Sequence, residues 1–200
     1  LENRSAFTLE TLLTDKINEL DQTISHLKSL RAVMSTKKQN MTTIRNIDIS
    51  EFSVIEKPDA HYFVTVPTSH DTPFEKEIEM VVAETKKYQL RRLHDASYGS
   101  ILPVESLYSG NFSDYSALYI ELPFPTHRKG LHVQPKGKYL RAFCKGSWDN
   151  IAGRYKEILA YAKEHDLKFY GSAYEKGINE LVIDTPDDYI TQIEIPVKDQ

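Results

Sequence analysis

The chain has 200 residues, a formal net charge of −4 and a single cysteine. Apolar residues at 40% and charged residues at 27% allow a packed core and exclude wholesale disorder. The lone cysteine excludes an internal disulfide framework, no run nears the ~18 apolar residues of a membrane span, and the acidic balance argues against a surface given over to nucleic acid. The composition reads as cytoplasmic, and the start at Leu1-Glu2 reads as a fragment, a processed chain or a cloning scar.

Residues 1–40 have their own pattern. Leu13, Ile17, Leu20, Ile24 and Leu27 alternate in steps of four and three, and Met34 continues the spacing beyond Arg31. That 3.5-residue repeat keeps one stripe of a helix facing a partner helix. No glycine or proline falls between residues 8 and 38, so one helix of roughly 45 Å is expected. The stripe is too narrow to bury itself, and a homodimer through this helix is the expectation; packing on the chain's own body is the alternative. Lys37-Lys38-Gln39-Asn40 is expected to end the helix as a hinge.

Residues 47–200 read as one domain written twice, over approximately 47–124 and 131–198. His61–Val66 has strand composition. Thr72-Pro73-Phe74-Glu75 carries a cap, a first-position proline and a capping-box glutamate, and Phe74, Ile78, Val81, Val82 and Thr85 form the buried face of the helix that follows. Strands are expected at Tyr98–Leu107 and Ala117–Leu122. The second unit repeats the order: a strand at Tyr139–Cys144, an N-cap candidate at Ser147, and a helix burying Ile151, Tyr155, Ile158, Leu159 and Ala162. Strands near Tyr170–Glu175 and Tyr189–Val197 complete it. Residues match as well: Tyr98-Gly99-Ser100 with Tyr170-Gly171-Ser172, Asp114-Tyr115 with Asp188-Tyr189, and Ile120-Glu121-Leu122-Pro123 with Ile193-Glu194-Ile195-Pro196. The expected fold is α+β, a duplicated β-α-β-β domain with antiparallel sheets and helices on one side, behind a long coiled-coil helix. Phe124–Gly137 is the expected connector.

Two such halves leave a concave seam, a common place for a small-molecule site. In the stretch Tyr170–Glu175, alternation puts Tyr170, Ser172 and Tyr174 on one face and Gly171, Ala173 and Glu175 on the other. Glu175 then reads either as an exposed strand glutamate or as a carboxylate with room around it. Trp148 reads as a hydrophobic anchor at a helix entrance or as a pocket wall. Tyr62, Tyr98, Tyr108, Tyr139 and Tyr170 read as core aromatics or, for a few, as an aromatic wall beside a buried acid, a pairing that selects cations; the wall candidates are Tyr62, Tyr98, Tyr139, Tyr170 and Tyr174. The histidines lack metal-ligand spacing, Cys144 lies in an apolar strand, and no phosphate-binding glycine pattern occurs; no metal and no cofactor is expected.

Gly146-Ser147-Trp148-Asp149, Tyr170–Glu175 and Ile193-Glu194-Ile195-Pro196-Val197 resemble segments of GyrI-like effector-binding domains, over residues 47–198. The helix before them is similar to the dimerisation helix of MerR-family transcription regulators, and the order of parts to their BmrR-type, multidrug-sensing branch. The resemblance implies two β-α-β-β repeats that bind small lipophilic, often cationic effectors, with Glu175 as the acidic contact and Trp148 at the helix entrance. In such regulators promoter DNA is read by an N-terminal winged helix, which this sequence does not contain; the expectation is a chain that binds effector and dimerises without recognising an operator. Gly177 stands where many relatives have an aromatic residue, which implies a wider or differently closed rim. A hydrolase using Glu175 as general base and a protein-binding inhibitor module are the alternatives.

Overall fold

The computed structural model describes residues 6–68, 72–86, 98–122, 129–179, 183 and 185–198. By its internal contacts the chain divides into two compact units between Gln39 and Asn40.

The first unit is helical. Helix α1 (Ala6–Asn46) does not give way at Lys37–Asn40 as expected, because Met41–Arg45 also lacks glycine and proline. Thr11, Thr14 and Thr23 donate their hydroxyls to the carbonyls four residues back, so these polar side chains do not compete with the helix. Leu13, Ile17, Leu20, Ile24, Leu27 and Met34 are each 47–59% exposed.

The second unit is built on one antiparallel sheet. Its elements are β1 (Ser53–Lys57), β2 (His61–Pro67), α2 (Phe74–Lys86), β3 (Tyr98–Pro103), α3 (Val104–Tyr108) and β4 (Ala117–Glu121). There follow β5 (His132–Gln134), β6 (Gly137–Lys145), α4 (Ile151–Glu164), β7 (Ser172–Gly177) and β8 (Ile190–Pro196). The strand order is β1-β6-β8-β7-β3-β4-β2-β5. One repeat is β2-α2-β3-β4 and the other β6-α4-β7-β8, so a pseudo-twofold axis passes between β7 and β3. The expected pair of small sheets is a single sheet, joined where Ser100 faces Glu175 and Ile101 faces Tyr174.

Two strands were not foreseen. β1 leads into the first repeat but pairs with β6 of the second. β5 lies inside the expected connector, precedes the second repeat and pairs with β2 of the first. Each repeat is therefore sealed by the other's leading strand. The strand expected over Tyr98–Leu107 stops at Pro103, which has no amide to donate, and α3 follows. At α2 the amides of Lys76 and Glu77 bond the Pro73 carbonyl, so the helix begins one residue later than the capping pattern indicates. Ser147 makes no side-chain cap; a 3-10 turn, Trp148–Asn150, leads into α4 instead.

Alternation sorts the core. On one face Leu102, Leu140, Ala142, Ala173, Ile193 and Ile195 pack with Ile151, Tyr155, Ile158 and Ala162 of α4. On the same face Val66, Leu118 and Ile120 pack with Val81 of α2; the side chains of Phe74 and Thr85, expected there too, lie outside the described residues. The other face curls inward over Phe63, Ile101, Tyr119, Tyr139 and Tyr174. Gln134 on β5 reaches Glu194 on β8 at 3.4 Å, although these strands are far apart in the order. Only a strongly coiled sheet brings them together.

Gly99 marks a close approach. A Cβ there would lie 2.1 Å from the Glu175 carbonyl oxygen and 2.3 Å from the Tyr119 ring, whose hydroxyl donates to that same carbonyl at 3.1 Å. Gly99→Ala is therefore expected to cost about 2–3 kcal/mol and lower the Tm by roughly 5 °C or more, as read by thermal unfolding.

Candidate functional site

A cavity of about 710 Å³ opens on the helix-bearing face, over the junction of β3 and β7. Tyr98, Ser100 and Leu118 line it from the first repeat together with Ile78 of α2. Trp148, Ile151, Glu175 and Thr191 line it from the second, and Asp114, Tyr115 and Tyr189 from loops. Thr68, Glu77, Ser113 and Lys176 also border it. Most of the wall area is apolar, with these polar groups set into it, as in a small-molecule site.

Glu175 is the centre of the polar part and is 4% exposed. The Tyr155 hydroxyl donates to its Oε1 at 2.6 Å, and the Tyr115 hydroxyl lies 3.1 Å from both carboxylate oxygens. The Ser100 hydroxyl donates to Oε2 at 3.2 Å. Every one of these donors is neutral. Burial pushes the carboxyl up to about 7, and the three hydroxyl bonds only partly oppose it. Burial and the neighbouring carboxylate push the Tyr115 and Tyr155 phenols well above their ordinary value, so both stay donors at any ordinary pH.

Two other buried glutamates show what this arrangement lacks. Glu121 and Glu194 occupy matching places in the two repeats, on the opposite face of the sheet. His61 and Lys176 bind Glu121; Lys57 and Arg141 bind Glu194. Burial works against both carboxylates, but their cationic neighbours outweigh it, holding Glu121 down to about 2 and Glu194 below its ordinary value. Glu175 has no such partner among the described residues. A cation entering the cavity would meet a carboxylate whose ionisation it favours, and its binding would expel a proton.

The structure brings Glu175, Trp148 and Tyr98 to one cavity. Trp148 stands at the rim, 61% exposed. The other tyrosines singled out in the sequence are elsewhere. Tyr174 and Tyr139 fall on the opposite face, because neighbours along a strand point opposite ways; their hydroxyls meet His132 and the Pro135 carbonyl. Tyr62 pairs with Val133 near the end of the sheet. Tyr170 precedes β7, 37% exposed and away from the cavity. Ala173, expected to leave space beside the acid, is fully buried in the core; the room above Glu175 comes from Ser100, Thr191 and Gly177.

Ser100, Tyr115 and Tyr155 are the site residues the sequence did not single out. Signals existed: Ser100 and Tyr115 both belong to repeated motifs, and Tyr115 and its counterpart Tyr189 both reach the lining. Tyr155 was placed on the buried face of its helix, where nothing local marks its hydroxyl as a partner of Glu175.

A stability test follows from the raised carboxyl. Below the ordinary value of 4.5 the acid is protonated whether folded or unfolded. Between there and about 7 only the folded chain keeps the proton, so this group's contribution is lost as pH rises through that window, on the order of 3 kcal/mol in all. Glu175→Gln is expected to be the more stable form at pH 8 and to lose that advantage at pH 4.5. Urea unfolding of both proteins at the two pH values reads the difference, and parallel behaviour would contradict it.

A family model described as RNA polymerase Rpb2, domain 3, matches residues 76–106, a stretch that includes no part of the second repeat. Over 193 residues the chain is 24% identical to the multidrug-efflux transporter 2 regulator of Bacillus subtilis (strain 168), covering 94% of this chain and 68% of that protein. The cryo-EM structure of an EcmrR–DNA complex matches with a TM-score of 0.52 at 14% identity, over 100% of this chain and 74% of that one. The crystal structure of the EcmrR C-terminal domain matches with a TM-score of 0.52 at 13% identity, over 75% of this chain and 98% of that one. The structural likenesses carry the fold. The chain is thus similar along nearly its whole length to a multidrug-efflux regulator, and its fold is like that of the EcmrR C-terminal domain.

Proposed function

We propose that the chain is the ligand-sensing and dimerisation portion of a drug-responsive transcription regulator, acting in the cytoplasm on a small lipophilic cation. The observation that carries this reading is the Glu175 carboxylate, buried in an aromatic-walled cavity and held, among the described residues, by hydroxyls. Ring faces and an uncompensated acid attract positive charge, while apolar walls tolerate varied shapes. The name of the B. subtilis relative, a multidrug-efflux regulator, supports sensing over the hydrolytic alternative. Promoter DNA enters through the winged-helix unit that regulators of this type carry. An effector alters promoter geometry only by binding one arrangement of the dimer better than another.

Trp148 is the sole tryptophan, and it stands at the cavity rim. Titration with tetraphenylphosphonium is expected to change its fluorescence and to release protons near neutral pH. Glu175→Gln is expected to weaken binding about tenfold or more. Unchanged affinity in that variant would remove Glu175 from the site.

The exposed stripe of α1 supports self-association through Leu13, Ile17, Leu20, Ile24, Leu27 and Met34. Analytical ultracentrifugation is expected to show a dimer. Leu20→Lys combined with Ile24→Lys is expected to weaken it by about two orders of magnitude; a chain that stays dimeric in that variant associates through another surface.

A further inference from the structure

Glu175 has little capacity left to accept a further hydrogen bond. A carboxylate offers about four acceptor sites, shared equally by its oxygens. Oε1 has the hydroxyls of Tyr155 and Tyr115 beside it at 2.6 and 3.1 Å, and Oε2 those of Tyr115 and Ser100 at 3.1 and 3.2 Å. These contacts match the acceptor sites in number. The residue is also only 4% exposed, so the hydroxyls that bind the carboxylate help to enclose it.

Such an acid acts on a ligand through its field more than through direct contact. Its charge is felt across a hydroxyl layer, because the surrounding wall is mostly apolar and little water screens it. What the layer withholds is a free lone pair. A protonated amine entering the cavity leaves strong bonds to water behind, and at Glu175 its N–H meets oxygens already engaged. To bond there it must displace a hydroxyl, leaving a buried phenol or serine unsatisfied. A cation without N–H, its charge covered by carbon, asks for no acceptor. Glu194 has the opposite arrangement: N–H donors of Arg141, Lys57 and Gln192 reach its oxygens directly.

We propose that the Glu175 cavity selects cations without N–H donors, namely quaternary ammonium and phosphonium centres, over protonated amines of the same size, and that the hydroxyls of Ser100, Tyr115 and Tyr155 make the choice. This rests on the reading of the cavity as a cation site and adds the chemical class of its ligands. Ser100 is the member of the layer best suited to substitution: its bond is the longest, and the register of β3 on β7 places it directly opposite Glu175.

The test compares two isomeric cations, benzyltributylammonium and protonated N-benzyldihexylamine, by calorimetry on the whole chain at low salt and pH 8, where Glu175 is ionised. The two have the same charge and the same atoms, and only the amine carries an N–H. The quaternary cation is expected to bind about tenfold more tightly. Ser100→Ala uncovers a site on Oε2 and is expected to lower that ratio to about two, whereas Ser100→Thr, which keeps a hydroxyl, is expected to preserve most of it. The ratio is read within each variant, so a change in the acidity of Glu175 affects both probes alike. A ratio near one in the unsubstituted chain overturns the selection, as when the amine pairs with another group of the wall such as Asp114 or Glu77. A ratio unaltered in Ser100→Ala, or lowered as far in Ser100→Thr, overturns the role of the hydroxyl layer. In these cases weaker binding of both probes to Glu175→Gln leaves the cation reading standing. Failure of both probes and of tetraphenylphosphonium to bind overturns the cation reading itself.

Discussion

A carboxylate removed from water must be neutralised, hydrogen-bonded or protonated, and this domain uses all three solutions side by side. Glu121 and Glu194 are neutralised on the aromatic face of the sheet by lysine and arginine, and His61 adds a hydrogen bond to Glu121. Glu175, on the other face, is held among the described residues by Tyr155, Tyr115 and Ser100. Hydroxyls stabilise its charge incompletely, so the group stays near the balance between acid and anion. That unfinished compensation makes the cavity responsive: the stabilisation that a lysine would supply permanently is left for something diffusible to supply. The tight contact at Gly99 holds the Glu175 backbone in place while its side chain remains at that balance.

Duplication explains why the acid lies where it does. The pseudo-twofold axis passes between β3 and β7, and the central strands of the two repeats form the cavity floor. Each half supplies a helix to the same face, leaving an open zone over the axis between α2 and α4. Symmetry is broken at the matching acids, where Asp188 pairs with Lys145 while Asp114 accepts the Ser106 hydroxyl.

Much of the architecture is readable in the sequence because its signals are local. The heptad spacing from Leu13 to Leu27, the alternation in Tyr139–Cys144 and the α4 face of Ile151, Tyr155, Ile158 and Ala162 each depend on neighbours a few residues away. Features set by long-range pairing are less legible. β1 and β5 are short, and only partners some eighty residues distant make them strands. The site shows the same divide. Glu175, Trp148 and Tyr98 carry recognisable contexts, whereas Ser100 meets Glu175 only through the register of β3 on β7. Tyr155 meets it only because α4 crosses that junction. Tyr174 shows the converse: an aromatic residue next to the acid in sequence is turned away from it by strand parity.

The exchange of leading strands has a consequence for how the domain withstands injury. β1 protects the outer edge of the second repeat and β5 that of the first, so neither lobe possesses a complete perimeter by itself. Fraying at one extremity uncovers the opposite lobe, and the walls that grip a guest cannot slacken separately. Recognition and global cohesion are, in this topology, a single mechanical property.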